Sequence, residues 1–292
     1  MSFLPKRLRD QTGRWSLVDG ISFQLPVGSQ KTPALMAAFP INADAAARLL
    51  PGNELHPFKL GGRGLLVFTV VDYRETNIGK YVEYSIAIAV THGAKPAPAF
   101  LPLLFQKTFE LGQYVFDLPV SSEISVKGGK GIWGMPKHQA NLDFIITDTT
   151  VSSQYDLDGQ LAVNIEIDKP HSPLLPIFNI PGANFCAYRG MLFKSYVYFS
   201  GKIGLGTAKK GSARLTIGDH PRVAALKTLE IDPDPVFTAF LPDTHGVLDD
   251  HFECWFLSHD AKQTVRPEGM ESTATLGLSE EWLTPPNKAF LR

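Results

Sequence analysis

The apolar stretches of this chain alternate with a period of two. "LLVFTVVDY" (65–73), "YVEYSIAIAV" (81–90), "LDFIITDTTVSSQYDL" (142–157), "QLAVNIEI" (160–167) and "LFKSYVYFSGKI" (192–203) are rich in β-branched and aromatic residues, the composition of strands. In the fourth run Leu161, Val163, Ile165 and Ile167 alternate with polar neighbours, which buries one face and wets the other. Asp158-Gly159 sits between two of these runs and is the strongest hairpin signal in the chain. Helical patterning is scarce. "NADAAARLLP" (42–51) offers an Asn or Asp cap, an alanine-rich body and a proline stop. "DHPRVAALKTL" (219–229) sets Pro221 near a first turn, with Val223, Leu226 and Leu229 as a buried stripe. "AFLPLLFQKTFELG" (99–112) reads as a third helix. The pattern predicts a mainly β (α+β) chain, antiparallel, with a few helices.

No internal repeat or low-complexity segment interrupts this pattern. "DKPHSPLLPIFNIPG" (168–182) is proline-rich but apolar, so it reads as a packed irregular crossing rather than a linker. One domain over residues 1–260 is expected, with a loosely structured extension over 261–292. The net charge of −1 gives no field that points to nucleic acid or an anionic membrane, which leaves small molecules as the expected partners. Cys186 and Cys254 cannot build a disulfide framework, the first residues lack the apolar core of a signal peptide, and no apolar run approaches a membrane span. A cytoplasmic setting is expected.

The candidate chemistry centres on "GGKGIWGMPKHQ" (128–139), whose glycines and proline predict a turn. Trp133, Met135 and Pro136 precede Lys137 and strand-like residues follow it, an apolar setting that would strip water from the ammonium and lower its pKa. At a pKa of ~10.4 an amine is only ~0.04% neutral at pH 7, whereas at about 6–7 it is roughly half neutral or more. Composition alone favours the plainer reading, a surface lysine after a Gly-Pro turn. "HGVLDDHFEC" (245–254) is dense in metal-ligand types, but strand alternation splits His251 and Glu253 from Cys254, so no metal site is expected. "GKIGLGTAKKG" (201–211) lacks the ending and the helix of a phosphate loop and reads as a hairpin or loop. Arg189 in "YRGMLFK" offers a bidentate carboxylate clamp or a surface arginine. No Ser-His-Asp order, Cys-x-x-C or dinucleotide fingerprint is present, and no cofactor is called for.

The segment "GKGIWGMPKHQA" resembles the active-site stretch of the acetoacetate decarboxylase family, G-R-E-I-W/Y-G-F/Y-P-K-K-L-A, through Gly129, Ile132, Trp133, Gly134, Pro136, Lys137 and Ala140. Upstream, Gly79, Tyr81 and Glu83 match the family's G-x-Y-x-E core, and "SARLTIGDHPRVAALKTLEI" is similar to its R-L-x-L-F-D-H segment. The resemblance spans roughly residues 30–258. It implies a closed or conical antiparallel β-barrel with peripheral helices, commonly assembled into homo-oligomers. It also implies a lysine that forms a Schiff base with a small oxo acid, and decarboxylation of a β-keto acid. Lys137 would be that lysine and Glu83 the active-site carboxylate, shuttling protons best if partly buried. Trp133, Met135, His138, Phe68 and Arg189 are the expected substrate-binding residues. The same imine would also serve an aldolase, dehydratase or hydratase on a pyruvate-like substrate, and a barrel that only binds a small ligand is the non-enzymatic alternative.

The departures from the family are specific. His138 replaces the second lysine, Lys130 and Gly131 replace Arg-Glu, an upstream carboxylate falls on Phe68, and no arginine lies between Arg14 and Arg48. Lys31 is the nearest cation there. By the resemblance these positions would carry the specificity for acetoacetate, so the imine-forming lysine is kept without the acetoacetate-specific surroundings.

Overall fold

The computed structural model describes residues 14–170, 173–207 and 210–258, so the expected extension over 261–292 lies outside the described residues. Seven long strands close a barrel: β1 (Ala34–Ile41), β2 (Gly64–Tyr73), β3 (Tyr81–His92), β4 (Gly112–Val120), β5 (Leu175–Tyr188), β6 (Met191–Thr207) and β7 (Phe237–Phe256). Each strand pairs with its neighbours in sequence, and β7 returns to β1.

The barrel is mixed rather than wholly antiparallel, which corrects the sequence expectation. Strand directions cannot alternate all the way round an odd ring, so one pair must run parallel. That pair is β4 and β5, in register at Gln113↔Asn184 and Tyr114↔Phe185. The long connection between them is what a parallel pairing requires. It begins with the helix Glu123–Trp133 and the short strand Lys137–Gln139, which pairs parallel to β4 at Lys137↔Leu118.

The rest of that connection forms most of a second, five-stranded sheet: Asn141–Leu142, Ile145–Ile146, Thr150–Leu157, Gln160–Asp168 and, after β6, Ala213–Ile217. Asp158 and Gly159 have φ of 52° and 76°, the turn expected between the two long strands of this sheet. The run 142–157 is not one strand but a folded ribbon. The Thr147 hydroxyl accepts the Thr150 N–H at 2.9 Å and turns Ile146 back onto Val151.

This second layer explains why the barrel strands are apolar on both faces. On β2 the even positions Leu66, Phe68 and Val70 point out of the barrel and pack with Val151, Tyr155, Val163, Ile165 and Ile167 of the second sheet. The odd positions point inward: Leu65 and Val67 fill one end with Ala38 and Ala89, while Thr69, Val71 and Tyr73 line an open cavity at the other. β3 divides the same way, with Tyr84, Ile86 and Ile88 outward and Tyr81, Glu83 and Ser85 inward.

The helices are short. Asn42 Oδ1 accepts from the Asp44 and Ala45 N–H groups at 3.0 Å each and caps Ala43–Ala47, which ends earlier than its sequence pattern. The segment Pro221–Leu229 is a 3₁₀ helix rather than an α-helix. Its apolar residues Val223, Leu226 and Leu229 recur every three positions and therefore lie on one face only at that pitch. The helix expected over 99–112 is a single turn, Leu101–Leu104. Among the described residues no helix is long and apolar enough to cross a membrane.

Candidate active site

The stretch expected to be a turn is mostly the end of a helix. Glu123–Trp133 is helical through Gly128, Gly129 and Gly131, and the turn comes only at Gly134, whose φ of 64° closes the helix as a left-handed C-cap. Met135 and Pro136 then deliver Lys137 to its pairing with Leu118, side chain inward. The helical glycines serve close approach. A Cβ at Gly129 would meet the Lys137 side chain, and one at Gly131 would meet Val18 of the hairpin strand Arg14–Val18.

Lys137 is 4% exposed. Its Nζ donates to Ser125 Oγ at 2.9 Å and lies 2.6 Å from Glu83 Oε2, with the Tyr81 ring 5.5 Å away. Burial pushes the Tyr81 phenol well above its usual range and the Glu83 charge adds to this, against a hydrogen bond with Ser125, so Tyr81 stays a proton donor. Cys186 is buried nearby. Burial pushes its thiol up to about 12, against the pull of the Lys137 charge, so at neutral pH it does not compete as a nucleophile.

Lys137, Glu83 and Tyr81 line a cavity of about 310 Å³ inside the barrel. Val27, Val115, Leu118 and Met135 form the wall beside the lysine. A bulge shapes that wall. Phe116 has no partner between the pairs Ile86↔Asp117 and Ala87↔Val115, so the alternation of β4 reverses there and Leu118 faces inward.

Of the expected site residues, the fold brings Lys137, Glu83 and Met135 together on this cavity; the other four are not among its lining residues. Phe68 has outward parity on β2 and packs edge-to-face with Phe39 and Tyr84 in the inter-sheet core. Trp133 is buried behind Met135, its Nε1 donating to the Asp249 carbonyl at 2.9 Å. His138 follows Lys137 in a strand and so points the other way, with Nε2 3.1 Å from Asp117 Oδ1. Arg189 lies exposed in the β5–β6 turn, its guanidinium 4.6 Å from the Tyr188 ring, and clamps nothing in the cavity.

Sequence reasoning missed Ser125, Gln113 and Asn184. Ser125 stands on a helix with no readable signature, and the two amides sit on strands whose inward parity depends on pairing. Among the described residues no group of three or more His, Cys, Asp or Glu side chains converges to hold a metal ion.

The buried lysine and carboxylate thus sit inside a closed seven-stranded mixed β-barrel, and sequence comparison gives its family. The family model for acetoacetate decarboxylase (ADC) matches residues 11–236, and the chain belongs to that family. No curated protein matches the sequence. Among solved structures, acetoacetate decarboxylase from Legionella pneumophila aligns with a TM-score of 0.56 and 14% identity, over 77% of this chain and 85% of that one. Another acetoacetate decarboxylase aligns with a TM-score of 0.57 and 16% identity, over 79% and 89%. The enduracididine biosynthesis enzyme MppR, complexed with pyruvate, aligns with a TM-score of 0.55 and 15% identity, over 78% and 90%. At these identities the structural likeness is one of fold.

Proposed function

We propose that this protein is a carbon–carbon lyase that works through an imine on Lys137, with decarboxylation of a β-keto acid as its reaction. The observation that carries the reading is the buried Lys137 amine, 2.6 Å from Glu83 inside a mainly apolar cavity of the barrel. The ammonium must lose a proton before it attacks, and Glu83 is the base within reach. The amine then adds to the ketone carbon, and loss of water leaves a cationic imine. The bond to the carboxylate breaks, carbon dioxide leaves, and the bonding pair passes to the iminium nitrogen as an enamine. A proton from Glu83 or Tyr81 returns to carbon, and water releases the ketone and the free amine. The apolar wall favours this path because it destabilises the carboxylate more than the charge-dispersed species that follows.

A second reading uses the same lysine for aldol or dehydration chemistry on a pyruvate-like substrate. It is favoured by the fold shared with MppR, whose structures hold pyruvate and its condensation product with an aldehyde. The same proposal includes a cytoplasmic setting and assembly with copies of itself.

Borohydride trapping tests the imine. After incubation with acetoacetate, pyruvate or a neutral methyl ketone, reduction should leave one covalent adduct by intact mass, absent in Lys137→Ala. An undiminished adduct in that variant, or none with any carbonyl compound, overturns the reading. Carbon dioxide release from acetoacetate, against consumption of an added aldehyde with pyruvate, separates decarboxylase from aldolase.

A further inference from the structure

We infer that the substrate is a β-keto acid whose remaining group is an uncharged apolar chain, longer than the methyl group of acetoacetate, and that it carries no second anionic group. The inference rests on the imine reading of Lys137 and adds what the cavity selects.

The first argument is the inventory of charge. Among the described residues lining the cavity, Lys137 is the only cation and Glu83 the only carboxylate. The remaining polar side chains are the amides of Gln113 and Asn184 and eight uncharged hydroxyls of Ser, Thr and Tyr. A carboxylate that survives the reaction, as in a pyruvate-like substrate, stays stripped of water here with no cation beyond the imine, and that cation is lost on hydrolysis, a heavy penalty. A β-keto acid escapes it. Its single carboxylate leaves as carbon dioxide while the imine cation is still in place.

Among the described residues the mouth offers no substitute clamp. Ser29, Thr76, Thr244, Gly246 and Val247 line both the cavity and an outer depression of about 730 Å³. Among the described residues that depression holds one lysine, Lys31, already 2.7 Å from Glu75, with the Asp243 carboxylate close by. Two carboxylates to one ammonium do not gather anions.

The second argument is size and wall. Acetoacetate has seven non-hydrogen atoms. Even at the about 30 Å³ that each molecule of liquid water occupies, they account for only about 210 Å³, short of the cavity's roughly 310 Å³. The surplus is apolar. Beyond the wall of Val27, Leu118 and Met135, the lining continues onto Met36, Leu241 and Phe199, which belong to a separate apolar cluster between β1, β6 and β7. Each methylene that moves from water onto such a wall tightens binding about fourfold.

The test uses the ketones that the reaction would release. Acetone, 2-pentanone, 2-heptanone, pyruvate and 6-oxoheptanoate are each incubated with the protein and reduced with borohydride. Hydride adds to the imine carbon, and the resulting secondary amine is counted by intact mass, with Lys137→Ala as the blank. The concentration giving half-maximal adduct should fall on the order of a hundredfold from acetone to 2-heptanone. Pyruvate and 6-oxoheptanoate, which match ketones in length but keep a carboxylate, should show no such gain. In parallel, 3-oxooctanoate, which yields 2-heptanone and carbon dioxide, should be decarboxylated with a higher kcat/KM than acetoacetate. A flat ketone series, or tightest trapping with either acid, overturns the inference while leaving the imine intact. No adduct with any carbonyl compound overturns the imine reading, and this inference with it.

Discussion

A Cβ on Gly129 would stand 2.5 Å from Cδ of Lys137 and 2.8 Å from its Cε. The helix and the lysine approach this closely only because residue 129 has no side chain. The consequence is a variant that folds but places its amine badly. Gly129→Ala relieves a helix-interior glycine, a gain of about 0.5–1 kcal/mol. The atoms it displaces belong to a flexible lysine side chain rather than to backbone, so the fold yields cheaply. The amine does not, since a shift of order 1 Å in a reacting group costs on the order of a hundredfold in rate. The expected outcome is a melting temperature within a few degrees of the parent, with borohydride trapping slowed about a hundredfold. Unchanged trapping would sink the idea that this contact positions Lys137.

Glu83→Gln keeps the shape of the carboxylate and removes its basicity. If Glu83 takes the proton from Lys137 and later returns one to carbon, the rate of imine formation should fall by about 10²–10⁴. The variant also leaves Nζ of the 4%-exposed Lys137 without its carboxylate partner, so stability should drop by up to about 3 kcal/mol. Single-turnover trapping and urea denaturation measure the two effects separately. A stability loss with full trapping rate would make Glu83 a structural counter-ion only.

The barrel was readable where its strands are. Period-two runs at 65–73 and 81–90 reappear as β2 and β3 with ends moved by a residue or two, because β-branched alternation needs no knowledge of partners. Parity was not readable. Phe68 and Glu83 both sit in apolar strands, and only the presence of a second sheet outside the barrel decides that Phe68 faces that sheet while Glu83 faces the cavity. The Glu123–Trp133 helix was hidden for a different reason. Its glycines lower helix propensity, and what holds them helical is packing against Phe23 and Val18, distant in sequence, and against Lys137 just beyond the helix end. His138 shows the same limit: a neighbour of the reactive lysine along the chain is, in a strand, on the opposite face.

His138 belongs to a buried polar network centred on Asp117, which is 1% exposed. Asp117 Oδ1 accepts from Arg222 Nε at 2.8 Å and lies 3.1 Å from His138 Nε2, while Oδ2 accepts from the Tyr155 hydroxyl at 3.3 Å. This joins β4, the Lys137 strand, the second sheet and the 3₁₀ helix. Asp117→Ala should therefore cost about 3 kcal/mol, toward the low end for a broken buried pair because Arg222 reaches solvent. His138→Ala should cost about 1 kcal/mol. Both variants should trap substrate at the parental rate at temperatures where they are folded. A His138→Ala variant that is stable but fails to trap would move His138 into the chemistry.

The pair Glu110–Lys194 makes a prediction about pH. Glu110 Oε2 accepts from Lys194 Nζ at 2.8 Å and lies 3.0 Å from His92 Nδ1. Burial alone pushes the Glu110 carboxyl up, but the hydrogen bond and charge of Lys194, with His92, outweigh it and hold the carboxyl below its ordinary 4.5. A carboxyl lowered on folding adds stability that is present above its unfolded value and lost as pH falls through the folded one. Lys194 is the mirror case. Burial pulls its ammonium down, yet hydrogen bonds to Glu110 and Tyr196 leave it above 10.5, so its contribution is present below that value and lost as pH rises through the folded one. In urea denaturation, the stability gap between the parent and Glu110→Gln should therefore hold steady through the neutral range and close as pH drops below about 4.5. The gap to Lys194→Met should narrow at that same acid end and close again above about 10.5. A gap that stays constant to pH 3 would mean that the ion pair contributes nothing that titrates, and that Glu110 is held by packing alone.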